Sequence, residues 1–346
     1  MTDLTSLFLQ PAATVREAIR VIDQGSVQIA LVVDAEQRLL GTVTDGDVRR
    51  GLLKGETLES PSENIMNRKF NKLPADSSDQ KVEMMMRDQL LHQIPGLDSK
   101  GRIVRLFIQR ELLPGKMLSN WVVLMAGGQG KRLRPDTENC PKPMLPVGGK
   151  PILEIILKQC INAGFRKFFI SVNYLKEQIT GHFGNGDRWG VKIHYLVEDQ
   201  PLGTAGALTL LPKPPSHPIL VINGDVLTRV DFANLLFFHQ EHKASATLCV
   251  REEETQIPYG VITSRDYRLL SMREKPVVSH QIIAGVYVLE PHMLELLPPD
   301  KCFDMPVLLK NGKAQGKPVF VFPIHEYWLD VGHAAALERV NDEWDG

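Results

Sequence analysis

Apolar residues along the chain follow two patterns. Short, β-branched runs recur: Ile29-Ala30-Leu31-Val32-Val33, Leu39 to Thr44, Val122-Val123-Leu124-Met125, Lys167 to Val172 and Ile219-Leu220-Val221-Ile222. Runs of this length and content predict buried strands. Between them, apolar residues return every three or four positions, the spacing of a helix face. Thr14 can cap one such helix, which carries Val15, Ala18, Ile19 and Ile22 and ends at Gly25. Asp45-Gly46-Asp47 opens a shorter one through Leu52-Leu53. From Trp121 onward strands and helices alternate, with helices expected over 152–163, 175–183, 204–211 and 334–344 and a strand over 191–196. Such alternation predicts an α/β fold with a Rossmann-like, mostly parallel sheet and right-handed crossovers. Ligand sites of such sheets lie beyond the carboxyl ends of the strands.

The first third of the chain repeats itself. A shift of 64 positions lays Thr14 on Ser78, Asp34 on Asp98, Arg38 on Arg102, Leu39-Leu40 on Ile103-Val104, and Leu52-Leu53 near Leu112-Leu113. One unit of this size cannot bury its faces alone, so two copies packed as a pseudo-dimer are expected. The pattern resembles a tandem pair of CBS domains, most specifically in GTVTDGDVRRGLL. The resemblance implies a cleft for an adenine nucleotide held by Thr44 and Asp47. The second copy offers Ile108 and Glu111 instead, so at most one site is intact. A structural role, with homodimerisation through this region, is the competing expectation.

Length adds a domain count: 346 residues suggest about two domains. We place them at 1–118 and 119–346, joined by a short connector over 111–120. A formal net charge of −1 offers no broad basic surface for nucleic acid or an anionic membrane. The four cysteines lack CxxC spacing, which argues against a zinc site or a disulfide framework and for a reducing compartment. The N-terminus has no basic region and soon meets Pro11. No apolar run reaches the length of a membrane span. A cytoplasmic protein is expected.

Candidate chemistry begins after the strand at Val122. Ala126-Gly127-Gly128-Gln129-Gly130 is followed at once by Lys131 and Arg132, and later by Lys142 between two prolines. Glycines let backbone N–H groups approach phosphates closely, and the cations neutralise charge. Taken alone, the segment is equally a glycine turn leading into a solvated basic stretch. Asp225 closes the strand at Ile219 through Asn223-Gly224, and Asp330 stands in Trp328-Leu329-Asp330-Val331-Gly332. Each alone reads as a turn or cap residue; together they can hold a Mg²⁺ ion that takes its other ligands from water and phosphate.

Taken in order, AGGQGKRLRP, PKPMLPVGGKPIL, PLGTAGAL, NGD, PYGVI, REKP, AGVYVL and WLDVG resemble the sugar-1-phosphate nucleotidyltransferases from Val122 to the C-terminus. The resemblance implies that Ala126, Gly127, Gly128 and Gly130 wrap a nucleoside triphosphate whose phosphates meet Arg132 and Lys142. Glu198 and Gly203 fall where the base is read, and Asp225 and Asp330 where Mg²⁺ is held. Tyr259, Gly260, Glu274 and Gly285 match the sugar-phosphate side, and Lys275 positions the attacking phosphate. Without that resemblance, Glu274-Lys275 is simply a charged turn. Three positions depart from the pattern: Lys131 in the glycine loop, Ile283 where an Asn commonly reaches the sugar, and His333 in place of a frequent Thr.

Glu198 can accept from guanine N1–H and its amino group, and PLGTAGAL resembles the mannose-1-phosphate guanylyltransferase group, so GTP is the favoured nucleotide. The pairing of CBS and transferase segments also resembles bacterial enzymes of the legionaminic acid pathway that make GDP-glucosamine. Glucosamine 1-phosphate is the leading substrate on that basis. Mannose 1-phosphate, or a uridylyltransferase reaction on a hexose or amino-sugar phosphate, is the alternative. A non-catalytic CBS nucleotide sensor is a further reading, opposed by the intact set Arg132, Lys142, Asp225, Lys275 and Asp330. A P-loop enzyme is excluded, because no Gly-Lys-Ser/Thr follows Gly130.

Overall fold

Two stretches 64 residues apart fold alike. The structure is a computed structural model that describes residues 4–25, 27–89, 91–108, 117–299 and 301–344. It divides into two compact units, Met1–Lys116 and Met117–Gly346.

In the first unit, strand β1 (Phe8–Leu9) precedes helix α1 (Val15–Gly25), strands β2 (Ile29–Val33) and β3 (Leu39–Thr44) and helix α2 (Asp45–Leu53). The second copy supplies β4 (Leu73–Pro74), α3 (Asp79–Asp88), β5 (Gln93–Leu97) and β6 (Ile103–Ile108). Thr14 caps α1 as expected: its hydroxyl accepts from Glu17 N–H at 3.2 Å, and Glu17 Oε2 accepts from Thr14 N–H at 2.7 Å. The correspondence extends to register. Leu9 pairs with Val32 and Leu73 with Gly96, in parallel, and both antiparallel hairpins carry an irregularity at matching positions, Val32/Val33 and Gly96/Leu97.

Each hairpin turns on an aspartate. Asp34 Oδ1 accepts from Glu36 and Arg38 N–H at 2.9 and 2.8 Å, and Asp98 Oδ1 accepts from Lys100 and Arg102 N–H at the same distances. Arg38 bridges to Arg102, its own copy. Leu7, Val27, Ile29, Leu31 and Val33 share one apolar cluster with Ile103, Leu106 and Ile108 of the other repeat. The faces that one repeat cannot bury are thus buried by its twin. Glu111 and Leu112-Leu113 of the proposed second copy lie outside the described residues.

The second unit is built on a seven-stranded sheet. Its elements in chain order are β7 (Leu118–Met125), the short pair β8 (Pro146–Val147) and β9 (Lys150–Pro151), α4 (Ile152–Asn162), β10 (Phe165–Val172), α5 (Lys176–Phe183), β11 (Lys192–Val197) and a single turn α6 (Gly203–Gly206). There follow β12 (Ile219–Asn223), β13 (Val226–Thr228), α7 (Phe232–Glu241), β14 (Ala246–Gln256), β15 (Val261–Arg265), β16 (Arg268–Arg273) and β17 (Val277–Leu289). The chain ends with α8 (Met305–Ala314), β18 (Val319–Ile324), β19 (Trp328–Asp330) and α9 (Ala334–Glu343). Strand order is β11-β10-β7-β12-β17-β14-β18, and β17 alone runs against the rest.

Alternation along the central strands explains the layers. Val122 and Leu124 of β7, with Leu220 and Ile222 of β12, point into a cluster that includes residues of α4, α7 and α9. Val123 and Val221 point the other way, onto Ala205, Met305, Leu308 and Leu309. Helices cover both faces, which is why these strands read as continuous apolar runs.

Two expectations are corrected. Leu118 to Asn120, taken as connector, is the start of β7. The helix expected over 204–211 is a four-residue turn continued as 3₁₀ through Leu210.

Candidate active site

β7 and β12 are parallel neighbours, with Met125 opposite Asn223. From β7 the chain next builds β10 and β11 on one side and then returns to β12 on the other. The two loops leaving β7 and β12 therefore meet at the switch point where open α/β sheets bind ligands. They touch directly: Gly224 N–H donates to Met125 O at 2.8 Å, and a Cβ on Gly224 would stand 2.7 Å from that oxygen. Only glycine allows this approach.

The glycine loop rests on a buried carboxylate. Ala126 N–H donates to Ser171 O at 3.1 Å. A Cβ on Gly127 would lie 2.5 Å from Glu198 Oε1. Glu198 is 6% exposed, and its oxygens accept from the Ser171 hydroxyl at 2.7 Å and Leu202 N–H at 2.9 Å. Paired in this way, a carboxylate can be buried without a large penalty. Each oxygen already holds a protein donor, so in the structure Glu198 is the floor of the loop, a role the sequence did not suggest. Gly128 faces open space. Gly130 adopts φ +60°, where a Cβ would press on Lys142 and Thr137 at 3.0 Å.

Lys142 is the centre of the charged group. Its ammonium forms an ion pair with Asp225 Oδ2 and lies 3.7 Å from Asp330 Oδ1. The aspartates are neighbours because β13 and β19 pair antiparallel with Val226 opposite Asp330, and Val331 N–H donates to Asp225 O at 3.0 Å. Partial burial pushes the Asp330 carboxyl above its ordinary range, and Asp225 pushes the same way. Lys142 and, more weakly, Arg132 oppose the rise, so Arg132 also lies within the field of this centre.

A like-charged carboxylate pair already bridged by an ammonium has the donor set for a hard cation. No group of three or more His, Cys, Asp or Glu residues is assembled for a metal among the described residues. A bound ion would therefore depend on water and ligand phosphate for most of its shell, as Mg²⁺ commonly does. The residues fit that ion.

The other expected positions fall into separate groups. Tyr259, Gly260, Glu274 and Lys275 stand together at the base of the β15–β16 ribbon. A Cβ on Gly260 would be 3.0 Å from Glu274 Oε2, and Lys275, at φ +44°, donates its N–H to Tyr259 O at 3.3 Å. Tyr259 is largely exposed. Gly285, at φ +73°, packs where a Cβ would strike Asn223 Nδ2 and Val226 at 2.9 Å, beside Asp225 in the chain. Asn223 Oδ1 is buried without a hydrogen-bond partner. Gly203, at φ +76°, is held against Phe303 and Asp304. Ile283 is half-exposed on β17, opposite Val250.

Thr44 and Asp47 are accounted for within α2. The Thr44 hydroxyl accepts from Asp47 N–H at 3.3 Å, Asp47 Oδ2 accepts from Thr44 N–H at 2.8 Å, and Arg50 pairs with Asp47 Oδ1 at 2.8 Å. This capping box explains the T-x-x-D spacing without a ligand. Ile108, the counterpart of Thr44, is a buried strand end. His333 also has a defined place: its Nδ1 accepts from Ala336 N–H at 3.1 Å and caps α9.

Sequence reasoning missed Ser171, Thr137, Asn223 and Asp304. Two of these had a readable signal: Ser171 as the lone hydroxyl in the apolar run Phe168 to Val172, and Asn223 as the first residue of the NGD motif.

Comparisons with known proteins agree with this architecture. The CBS domain profile matches residues 2–54. A mannose-1-phosphate guanyltransferase of Pichia angusta is 35% identical over 223 residues, 61% of this chain and 60% of its own. A UTP–glucose-1-phosphate uridylyltransferase of Synechocystis is 30% identical over 248 residues, 64% of this chain and 61% of its own. The chain thus spans about 60% of the length of these curated relatives. Among solved structures, HddC from Yersinia pseudotuberculosis shares the fold at a TM-score of 0.51 and 24% identity, covering 65% of this chain and all of the other. The profile of the Nucleotidyl transferase family matches residues 121–345, well over half the chain and a span in which the glycine loop, Lys142 and both aspartates fall; the chain belongs to that family.

Proposed function

We propose that this chain transfers a nucleotidyl group from a nucleoside triphosphate to a sugar 1-phosphate, releasing pyrophosphate. The observation that carries this reading is the Asp225–Lys142–Asp330 centre beside an open glycine loop, at the carboxyl ends of adjacent parallel strands.

An oxygen of the sugar phosphate attacks the α-phosphorus, the bond from that phosphorus to the β-bridging oxygen breaks, and pyrophosphate leaves. The phosphate is already a competent nucleophile, so no covalent protein intermediate is needed. The chain's work is alignment and compensation of growing negative charge. N–H groups of the glycine loop cradle the triphosphate, Arg132 and Lys142 balance its charge, and Lys275 positions the incoming phosphate. Asp225 and Asp330 would hold a Mg²⁺ ion, which when bound polarises phosphate oxygens.

GTP is the favoured nucleotide. With both Glu198 oxygens engaged, support for guanine comes from the PLGTAG segment and from likeness to mannose-1-phosphate guanyltransferases. The uridylyltransferase relative keeps UTP as the alternative. Glucosamine 1-phosphate is the leading acceptor, on the resemblance of the paired CBS and transferase segments to enzymes that make GDP-glucosamine. Mannose 1-phosphate is the runner-up.

The test is pyrophosphate release with Mg²⁺, crossing GTP, UTP, ATP, CTP and dTTP against glucosamine, mannose, glucose and N-acetylglucosamine 1-phosphates. Release with one pair, dependent on both substrates, is expected. Pyrophosphate from no pair, or release independent of the sugar, would overturn the proposal.

A further inference from the structure

Asp304 heads helix α8 yet makes no side-chain bond to its own helix. Its Oδ1 instead accepts from Thr204 N–H at 3.1 Å and the Thr204 hydroxyl at 3.3 Å, 100 residues away in sequence. Thr204 returns the contact: its Oγ1 accepts from Met305 N–H, the first residue of α8, at 2.8 Å. The two segments thus cap each other.

Backbone bonds extend the exchange. Phe303 O accepts from Ala205 and Gly206 N–H at 2.9 and 3.0 Å, and Phe303 N–H donates to Leu202 O at 2.8 Å. Gly203 and Gly206 leave no room for a side chain here; a Cβ would stand 2.7 Å from Asp304 Oδ1 and from Lys301 O respectively. Upstream, Leu202 N–H is bound by Glu198, the floor of the glycine loop. The turn over 202–206 is therefore held at one end by Glu198 and at the other by Asp304.

We infer that Asp304 is a positioning residue for the nucleotide. It fixes the Gly203–Thr204 turn, and through Leu202 and Glu198 the glycine loop, without touching substrate itself. The inference rests on the reading that this turn and loop form the triphosphate side of the site. An Asp304→Ala change removes both bonds to Thr204, whereas Asp304→Asn keeps an oxygen acceptor in place.

The experiment measures binding and turnover separately on the full chain. A fluorescent GTP analogue titrated with Mg²⁺ gives Kd without needing catalysis. For Asp304→Ala, Kd and KM for the nucleotide should rise about tenfold, as expected for losing a charge-assisted hydrogen-bond pair. KM for the sugar phosphate should stay within about twofold, and Asp304→Asn should recover most of the nucleotide affinity. Mere destabilisation would lower the active fraction, and so kcat, with both KM values unmoved. Thr204→Val, which loses only the hydroxyl, should move nucleotide Kd in the same direction by less. Unchanged nucleotide Kd in Asp304→Ala, or equal losses in Ala and Asn variants, overturns the inference. Absence of pyrophosphate release in wild type would defeat the transfer reading while leaving the binding result to judge Asp304.

Discussion

Asp330 lowers the stability of the native state it serves. Its native carboxyl holds a proton more tightly than the ordinary value of 3.8, through burial first and Asp225 second. Native stability therefore falls as pH rises from 3.8 through the raised value, and the penalty persists at neutral pH. Asp330→Asn should raise the melting temperature at pH 7, with an advantage that shrinks as pH is lowered. Turnover of the same variant should drop by about 10² or more, the usual consequence of removing a group that aligns transition-state charge. Lys142→Met has the opposite sign: it leaves Asp225 and Asp330 facing with only the weaker field of Arg132 to offset them, so melting temperature and turnover both fall at pH 7. The double variant should regain stability but not turnover, and thermal melts with pyrophosphate assays read both. If Asp330→Asn melts lower than wild type at pH 7, the electrostatic account fails. Lys142 and Asp225 were legible through the order of the motifs that contain them, PKPMLPVGGKPIL and NGD, and not from either residue alone. Glu198 was noticed for its charge, but its work depends on Ser171 in another strand and Leu202 in a loop. No spacing rule joins those three.

At the scale of elements, what decides a segment's form is where its N–H groups go. Residues 204–211 have helical composition, yet only one α-turn forms before the chain continues as 3₁₀; the first-turn N–H groups of Thr204, Ala205 and Gly206, which no helix satisfies internally, are taken by Phe303 and Asp304. A partner 100 residues distant leaves no trace in local periodicity. The last helix was legible, including its start at Ala334, but not the residue that caps it. His333 caps α9 through Nδ1, so the ring carries its proton on Nε2. His333→Ala should destabilise the second unit by about 1 kcal/mol, and His333→Ser by much less, as read from urea unfolding midpoints. Equal losses would remove the capping role. β17 makes a second case. Its residues 284–289 are buried, while 277–283 run out along β14 with exposed or half-exposed side chains. Hydrogen exchange should divide this one strand, with slow amides over 284–289 and faster ones over 278–283. Uniform protection along the strand would contradict that division.

For the whole molecule, sequence told more about each unit than about their finer joints. The 64-residue shift was readable because strands, turns and aspartates recur in step. The shared apolar cluster was expected only in general, because which faces pair is a matter of contacts between the repeats, the bridge at Arg38 and Arg102 among them. The twin turns share two backbone bonds, and Asp98 adds an ion pair with the Arg102 side chain, so Asp34→Ala and Asp98→Ala should both lower the first unit's denaturation midpoint, Asp98→Ala by at least as much. Backbone N–H of Arg102, its side chain and Lys100 N–H hold the Asp98 carboxyl below its ordinary range, so its contribution is present above about pH 4 and fades as pH falls. The Asp98 variant should therefore approach wild type in acid; a gap that widens instead would refute this. The same whole-molecule view places the charged centre of the second unit at the meeting of two loops and a two-stranded ribbon, an arrangement that motif order implied and strand order explains.

If the proposed function holds, Lys142 also bears on the order in which metal and nucleotide arrive. With one ammonium against two carboxylates, the resting centre holds only a single excess negative charge. A lone divalent ion must compete with a cation tethered in place, whereas an ion already chelated by a triphosphate brings anions that draw the ammonium toward themselves. On the proposed function, nucleotide and metal would therefore enter together, with Lys142 serving as the counter-ion of the two carboxylates until they do.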